Sequence, residues 1–450
     1  MRNFVGQAVT LIVLATTALA GAQTPGATPL RLTLEEALAR GLNASHRLAE
    51  VTARRDAASA AADARHASTL PQIAAQAGYT RTNHVETFGV LLPNNQLRVI
   101  YPDIPDNYRT RLDLQWPIYT AGRLDALERA ARTEAGAVEG DLVAARNDLR
   151  LEITRAYWAL VTATESARVV DEAVGRANAH LQDVRNQFAA GLVPPNEVSS
   201  VEAQHSRQRM LAVQARVARD VAESELARLV GAEADTPLEA TETLDFPPPP
   251  AISFDALIAA AKEQRGERNA LTKQLAAAID RERAAAAGLK PTIAVAGGVD
   301  YARPNARIFP REGSWRHSWD ASVNVNWALF DGGRSRAEIA ETAASARAIQ
   351  ERLADFDARL AAEIRQRFRE LEGSRAAIDA AADAVRSATE ARRVVGDRFN
   401  AGVATSTDVL DAQVALLQAE LDRTQAIASA RLAEARLARA VGTRPFTKPT

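Results

Sequence analysis

Leu112-Asp-Leu-Gln-Trp116-Pro-Ile-Tyr119-Thr-Ala-Gly122-Arg123 returns later in altered form as Val323-Asn-Val-Asn-Trp327-Ala-Leu-Phe330-Asp-Gly-Gly333-Arg334. Trp116 answers to Trp327, Tyr119 to Phe330, Gly122 to Gly333 and Arg123 to Arg334, always 211 residues apart. In both copies an alternating pattern runs into a glycine turn, and a long helical pattern follows at once. Leu112, Leu114, Trp116 and Ile118 fall on one face, with Arg111, Asp113 and Gln115 on the other. In the second copy Trp319, Ala321, Val323, Val325, Trp327 and Leu329 oppose Asp320, Ser322, Asn324 and Asn326. A period of two with aromatics near the ends fits a membrane strand, one face to lipid and one to water. A half-buried strand of a soluble protein has the same alternation, so the rest of the chain must discriminate.

The chain has 450 residues, of which 25% are charged, with a net charge of -1. Neither sign dominates, and nucleic acid is not an expected partner. Of the 22 aromatic residues, 12 lie within Tyr79–Tyr119 and Tyr301–Phe330, where an interfacial girdle would concentrate them. Arg2, the mostly apolar run Ala8–Leu19 and a small-residue site at Ala18-Leu19-Ala20 or Ala20-Gly21-Ala22 read as a cleavable export signal, placed at 1–22. Beyond it no apolar run is long enough for a membrane helix. The absence of cysteine excludes disulfides, thiol catalysis and lipidation on an N-terminal cysteine. The six histidines are dispersed, and no HExxH, GxSxG or phosphate-binding glycine loop occurs. No enzyme activity, cofactor or metal is expected.

In chain order, Thr33 and Glu36 make a capping box that opens a helix running to about Thr69. Strands follow at 71–80 and 109–119, separated by an Asn- and Pro-rich loop. A helix over 123–188 carries Ile153, Tyr157, Leu160, Ala167, Val174, Leu181, Val184 and Phe188 at coiled-coil spacing. It turns at Gly191 into a helix over 195–230, giving an antiparallel hairpin. The Pro-rich segment 232–251 reads as a linker. Then the pattern repeats: a helix, strands at 291–301 and 319–330, a long helix over 334–399 and a last helix over 406–441. The chain is expected to be an internal duplication, 23–231 and 252–442, with a tail at 443–450.

Four strands cannot close a barrel, for which about eight are needed. An open sheet in lipid would leave edge backbone groups unpaired. If the strands cross a membrane, several chains must share a barrel; three copies supply 12 strands, an even number. Arg111, Asp113, Gln115, Asp320, Asn324 and Asn326 would then line an aqueous lumen. Trp116, Tyr119, Tyr301, Trp319, Trp327 and Phe330 would form the membrane aromatic belt. The competing expectation is a periplasmic structural or adhesive coiled coil without channel activity, which explains the heptads but not the strands.

The duplicated strand–glycine–helix corners carry a resemblance. So do the turns Phe188-Ala-Ala-Gly191-Leu-Val and Phe399-Asn-Ala-Gly402-Val-Ala, the second followed by Asp408-Val-Leu-Asp411-Ala-Gln413. From Leu32 to Gly442 the chain resembles the outer-membrane efflux protein family, the TolC-like exit ducts of tripartite efflux and type I secretion systems. The resemblance implies an α+β membrane protein whose antiparallel coiled-coil helices form a periplasmic tunnel. It implies a homotrimer with a shared 12-stranded barrel in the outer-membrane lipid of a Gram-negative bacterium. It further implies docking to a periplasmic adaptor protein and an inner-membrane pump of RND or ABC type. Without the acylation cysteine the chain is similar to the unlipidated branch. Gly191, Leu192, Val193, Gly402 and Val403, at the turns furthest from the strands, become the expected adaptor-docking tips. By resemblance Asp408 and Asp411 match the acidic ring of the periplasmic gate. Where the best-known member of that family has an arginine and a tyrosine near this turn that help latch the closed state, this chain has Ala404 and Phe399, so its latch rests elsewhere or is weaker.

Overall fold

A computed structural model describes residues 29–233, 236–246 and 253–443. The export signal at 1–22 and residues 444–450 of the tail lie outside the described residues. β1 (Leu30–Leu32) leads into α1 (Leu34–Ala44) and α2 (His46–Ala67). The capping box forms: the Glu36 carboxylate accepts the Thr33 N–H at 2.9 Å, and the Thr33 hydroxyl accepts the Glu36 N–H. The periodicity predicts one helix here, but the chain breaks at Ser45. Its backbone is extended and its hydroxyl caps Leu48, a local alternative that serine offers to helical pairing.

β2 (Gln72–Arg81) follows, then a segment that the sequence presents as a loop. It holds a hairpin, β3 (Phe88–Leu91) and β4 (Leu97–Tyr101), turned at Pro93-Asn94-Asn95 with Asn95 in the left-handed region. β5 (Asp106–Tyr119) then pairs antiparallel with β2 and ends in a bulge between Pro117 and Tyr119. The bulge accommodates a proline, which has no N–H to give to the ladder. The chain leaves β5 through Ala121 and Gly122, both left-handed; Gly332 and Gly333 do the same at the second corner. Glycine enters this conformation freely, whereas Ala121 does so at a steric cost.

α3 (Arg123–Ala189) and α4 (Pro195–Val230) form the first hairpin. After β6 (Leu238–Ala240) come α5 (Phe254–Gln264), α6 (Gly266–Ala287), β7 (Thr292–Arg303), β8 (Arg316–Asn326), α7 (Arg334–Asn400) and α8 (Ser406–Val441). Helix lengths match in pairs: α3 and α7 have 67 residues, α4 and α8 have 36, α2 and α6 have 22. At 1.5 Å per residue, α3 spans roughly 100 Å. The long helices lie side by side in the order α4, α3, α8, α7. The position of each sets its burial, since α3 buries 23 residues and the equally long α7 only five. Ile364 and Leu371 of the expected α7 seam are buried, while Phe368, Ile378, Val385, Val395 and Phe399 stay half-open.

The expected linker is partly core. β6 pairs in parallel with β1, and Leu238 packs into the cluster around Leu142, Ile153, Tyr157 and Leu226. Three residues among prolines give no periodic signal, and the partner strand lies 208 residues away. Tyr157, fully buried, ties this region together: its hydroxyl donates to the Leu32 carbonyl at 3.1 Å and accepts the Glu242 N–H at 3.2 Å. Arg265, in the break between α5 and α6, does the same for the second half. Its guanidinium donates to the carbonyls of Arg439 and Ala440 at the end of α8 and pairs with Glu267 and Glu363. Tyr157→Phe leaves the Glu242 N–H without its partner, which costs about 1–3 kcal/mol. Hydrogen–deuterium exchange should quicken in 238–242 and stay unchanged in 112–118.

Candidate functional site

β2, β5, β7 and β8 form one antiparallel sheet in that order. The register carries the alternation across all four strands. Gln76 pairs with Arg111, Arg111 with Asp300 and Asp300 with Ser318. One position on, Ala75, Leu112, Val299 and Trp319 form the next row, on the opposite face. Arg111, Asp113, Gln115, Asp320, Asn324 and Asn326 thus share one side with Gln72, Gln76, Arg109 and Asp300. Ile73, Leu112, Leu114, Val299, Val323 and Val325 share the other, where Ile73 is 69% and Val323 68% exposed. A soluble sheet packs its apolar face on a core; among the described residues nothing covers this one.

The apolar face carries aromatics at both ends. At the loop end Tyr79, Tyr108 and Trp315 are in contact, and Trp315 stacks on Tyr301 at 5.0 Å. Trp319 lies beside them on the same face. At the helix end are Trp116, on the apolar face of β5, and Tyr119, the exposed last residue of that strand. From Tyr108 to Ile118 the strand runs about 34 Å, which a tilt of ~40° reduces to about 25 Å across the layer, the height of an outer-membrane apolar band. The strand expected over 319–330 is shorter at its helix end: β8 ends at Asn326, opposite Thr292 where β7 begins, so Trp327 and Phe330 lie beyond the paired sheet. Both sit at the sheet–helix junction, and Trp327 Nε1 donates to the Leu289 carbonyl at 3.1 Å. Tyr79, Tyr108 and Trp315 are absent from the belt read off the sequence, although the alternation places them in phase with Tyr301.

The polar face holds a charge network. Arg111 bonds Asp113 at 2.5 Å, Asp320 at 3.0 Å, and Asp300. Arg109 bonds Asp300 at 2.6 Å, and Arg307 of the β7–β8 loop bonds Asp320 at 2.8 Å. Arg111 reaches across β7 because residue 298 is glycine; a Cβ there would lie 2.5 Å from its guanidinium. Asp300, Arg109 and Arg307 were missing from the sequence-derived set. Asp300 could have been found, since it alternates with Val299 and Tyr301; the loop arginine could not.

At the far end of the helices both turns close identically. Leu192 N–H donates to the Gln187 carbonyl and Gly191 N–H to Phe188; Val403 and Gly402 donate to Arg398 and Phe399. Gly191 and Gly402 are left-handed, as this motif requires. Leu192 and Val403 are exposed, but Val193 is half-buried against Val184 and Val201, and that corrects its expected role as an open tip residue. Asp408 caps α8: its carboxylate accepts the Thr405 N–H at 2.8 Å, and its own N–H donates to the Thr405 hydroxyl. These bonds, first that to the Thr405 backbone, hold the Asp408 carboxyl below its usual range. Its contribution to the cap is therefore present at neutral pH and lost only as pH falls through that lowered value. Asp411 is exposed one turn further on. Beside them, buried His180 of α3 shares a 2.9 Å hydrogen bond with Ser406 and meets the Phe399 ring edge-on. Burial pushes its imidazole toward the neutral form. Among the described residues no group of His and carboxylates is placed to hold a metal ion.

A sheet with one lipid-compatible and one charged face, continued by long helices, defines an outer-membrane duct rather than a soluble rod. The family described as outer membrane efflux protein matches residues 37–232 and 257–443, and the chain belongs to it. TolC of Vibrio cholerae serotype O1 is 24% identical over 404 residues, covering 88% of this chain and 87% of its own. The crystal structure of VceC, an outer membrane protein of Vibrio cholerae, superposes with a TM-score of 0.75 at 20% identity, over 91% of this chain and 96% of that one. The open state of the MtrE outer membrane channel of Neisseria gonorrhoeae gives 0.75 at 18% identity, over 92% and 91%. The fold is thus the helix-rich α+β fold of TolC-like outer-membrane channels, and the protein is an exit duct for efflux, a transporter rather than an enzyme. Arginine at Val323 or Val325 should cost about 2–4 kcal/mol if that site faces mid-bilayer. Assembled protein in outer-membrane fractions should fall sharply for each variant; normal yield from both would show that the face does not meet lipid.

Proposed function

We propose that three copies close one 12-stranded barrel in the outer membrane of a Gram-negative bacterium and conduct substrates outward from a periplasm-spanning assembly. The observation that carries this is the four-stranded, two-faced sheet with both edges unpaired and its apolar face uncovered. The helices make the same demand. α4 leaves Met210, Val213, Val217 and Val221 exposed, and α7 leaves its seam half-open, so each outer helix offers a neighbour an apolar stripe. The matched helix lengths favour an internal duplication, 23–231 and 252–442, that doubles two strands to four. In the closed barrel Arg111, Asp113, Gln115, Asp320, Asn324 and Asn326 line the lumen, and the aromatics at the two sheet ends mark the interfaces. The signal at 1–22 is cleaved and the chain is not lipidated. A periplasmic rod leaves the sheet without a purpose. Outer-membrane fractions should yield a trimer that runs compactly on gels unless boiled and that forms conducting pores in planar bilayers. A monomer without conductance refutes the duct.

The tips with Gly191, Leu192, Gly402 and Val403 meet the helical hairpins of a periplasmic adaptor, which joins the duct to an inner-membrane pump of RND or ABC type. Leu192 is the exposed apolar group that the turn itself does not require. Leu192→Asp should abolish adaptor crosslinking at this site and reduce export; intact crosslinking and export exclude the tips as the docking site.

Asp408 and Asp411 form the periplasmic gate. Three copies bring six carboxylates around one axis, so the mouth attracts cations, and mutual repulsion opposes the lowering that the Thr405 cap imposes within each chain. The His180–Ser406–Phe399 contact joins α3 to the start of α8 and supplies a latch where the arginine and tyrosine of the best-known member are missing. Wild-type pores should be cation-selective and blocked by multivalent cations from the periplasmic side. The Asp408→Ala/Asp411→Ala variant should lose that block; if the block is unchanged, the constriction lies elsewhere.

A further inference from the structure

Between the polar face of the sheet and the β7–β8 loop lies a cavity of about 440 Å³. The loop is built to stand there. Asn305 is buried, its amide donates to the Arg316 carbonyl and the Ser318 hydroxyl at 3.0 Å each, and its oxygen accepts the Arg307 N–H at 3.0 Å. Arg311 reaches the second outer loop, donating to the Tyr101 hydroxyl at 2.6 Å with its guanidinium over the Tyr101 ring. The β3–β4 hairpin and the β7–β8 loop are thereby joined across the end of the sheet.

The lining includes four arginines, Arg109, Arg111, Arg307 and Arg311, and one carboxylate, Asp300. Arg111 is fully engaged, with Asp113, Asp300 and Asp320 around it, and Arg307 is held by Asp320 and the Trp319 carbonyl. The other two keep donors in hand. Arg109 bonds Asp300 through Nε alone, and its side chain is 62% exposed. Arg311 forms no ion pair with a carboxylate of the described residues, and its Nε is buried without a hydrogen-bond partner. Charge balances among Arg109, Arg111, Arg307, Asp113, Asp300 and Asp320, and Arg311 is left over. Two guanidinium groups with N–H donors that no protein acceptor engages therefore line one cavity, Arg109 tied to Asp300 and Arg311 to Tyr101. Planar guanidinium groups match the paired oxygens of carboxylate, phosphate and sulfate.

We propose that this cavity is an anion subsite at the outer end of the duct, where Arg109 and Arg311 take up a carboxylate, phosphate or sulfate group of a departing substrate. This rests on the assignment of the polar face to the lumen. The site is open and its frame is already paired internally, so it holds its ligand weakly, as a conduit requires for release. It also complements the acidic periplasmic mouth: substrates of either sign have a point of attraction along the path.

The test uses whole trimers in planar bilayers with tripolyphosphate added on the extracellular side. Wild-type current should fall in a concentration-dependent way, and Arg109→Ala/Arg311→Ala should raise the half-blocking concentration at least tenfold. Arg98→Ala/Arg316→Ala removes the same charge from the same end without touching the cavity lining, and should shift it less than threefold. Equal block in wild type and the cavity variant overturns the site, as does an equal shift in both double variants or no block of a conducting wild type. If Arg109→Ala/Arg311→Ala fails to assemble, Arg311→Gln decides the question, since it lies in the loop; a threefold or greater rise is expected, and an unchanged value overturns the site. Wild-type trimers that do not conduct at all refute the duct itself.

Discussion

Unpaired backbone hydrogen bonds at the two edges of one small sheet govern the architecture. β2 and β8 each pair on one side only, and lipid offers no water to satisfy the other side. A chain with four such strands is stable in a membrane only beside copies of itself. The proposed closure removes every edge, turns the apolar face to lipid and encloses the charges. The two longest helices, α3 and α7, each leave the sheet through a pair of left-handed residues, Ala121-Gly122 and Gly332-Gly333.

The two ends of the molecule handle charge differently. On the sheet, arginine and aspartate are matched within one chain, and Gly298 makes the room for Arg111 to bridge from β5 to Asp320 on β8. At the helical tips Asp408 is held by a helix cap and Asp411 is exposed to water. An internally paired frame needs no neighbour to be stable, whereas in the proposed trimer these carboxylates would meet around an axis and repel one another. The former suits a permanent wall, and the latter fits the proposed gate.

Much of this was legible in the sequence because it is periodic. The strands show a period of two, the long helices a heptad seam, and the Gly122 and Gly333 corners recur at a constant spacing. What escaped is local competition or non-local pairing. Ser45 interrupts a helix that the pattern continues, β6 is three residues long with a distant partner, and the Pro93-Asn94-Asn95 turn hides a hairpin inside a polar loop. Among the candidate functional residues, the polar face of the sheet was readable strand by strand. Arg307 and Arg311 were not, since a loop folds over a sheet for reasons no alternation records. Trp327 was extended onto a strand whose partner had already ended.

Equal helix lengths in the two halves have a consequence for how such a chain can change. α3 and α7 share 67 residues, and α4 and α8 share 36, so every turn of one hairpin has a counterpart at the same height in the other. Deleting seven residues from α7 alone would lower one tip by about 10 Å and throw each seam residue out of step with its neighbours. A shorter or longer duct needs four coordinated edits, one per helix, in whole heptads. An insertion at the exposed Pro93-Asn94-Asn95 turn of the β3–β4 hairpin faces no such accounting. The helices therefore act as a gauge that keeps the molecule's reach constant while its outer surface is free to drift.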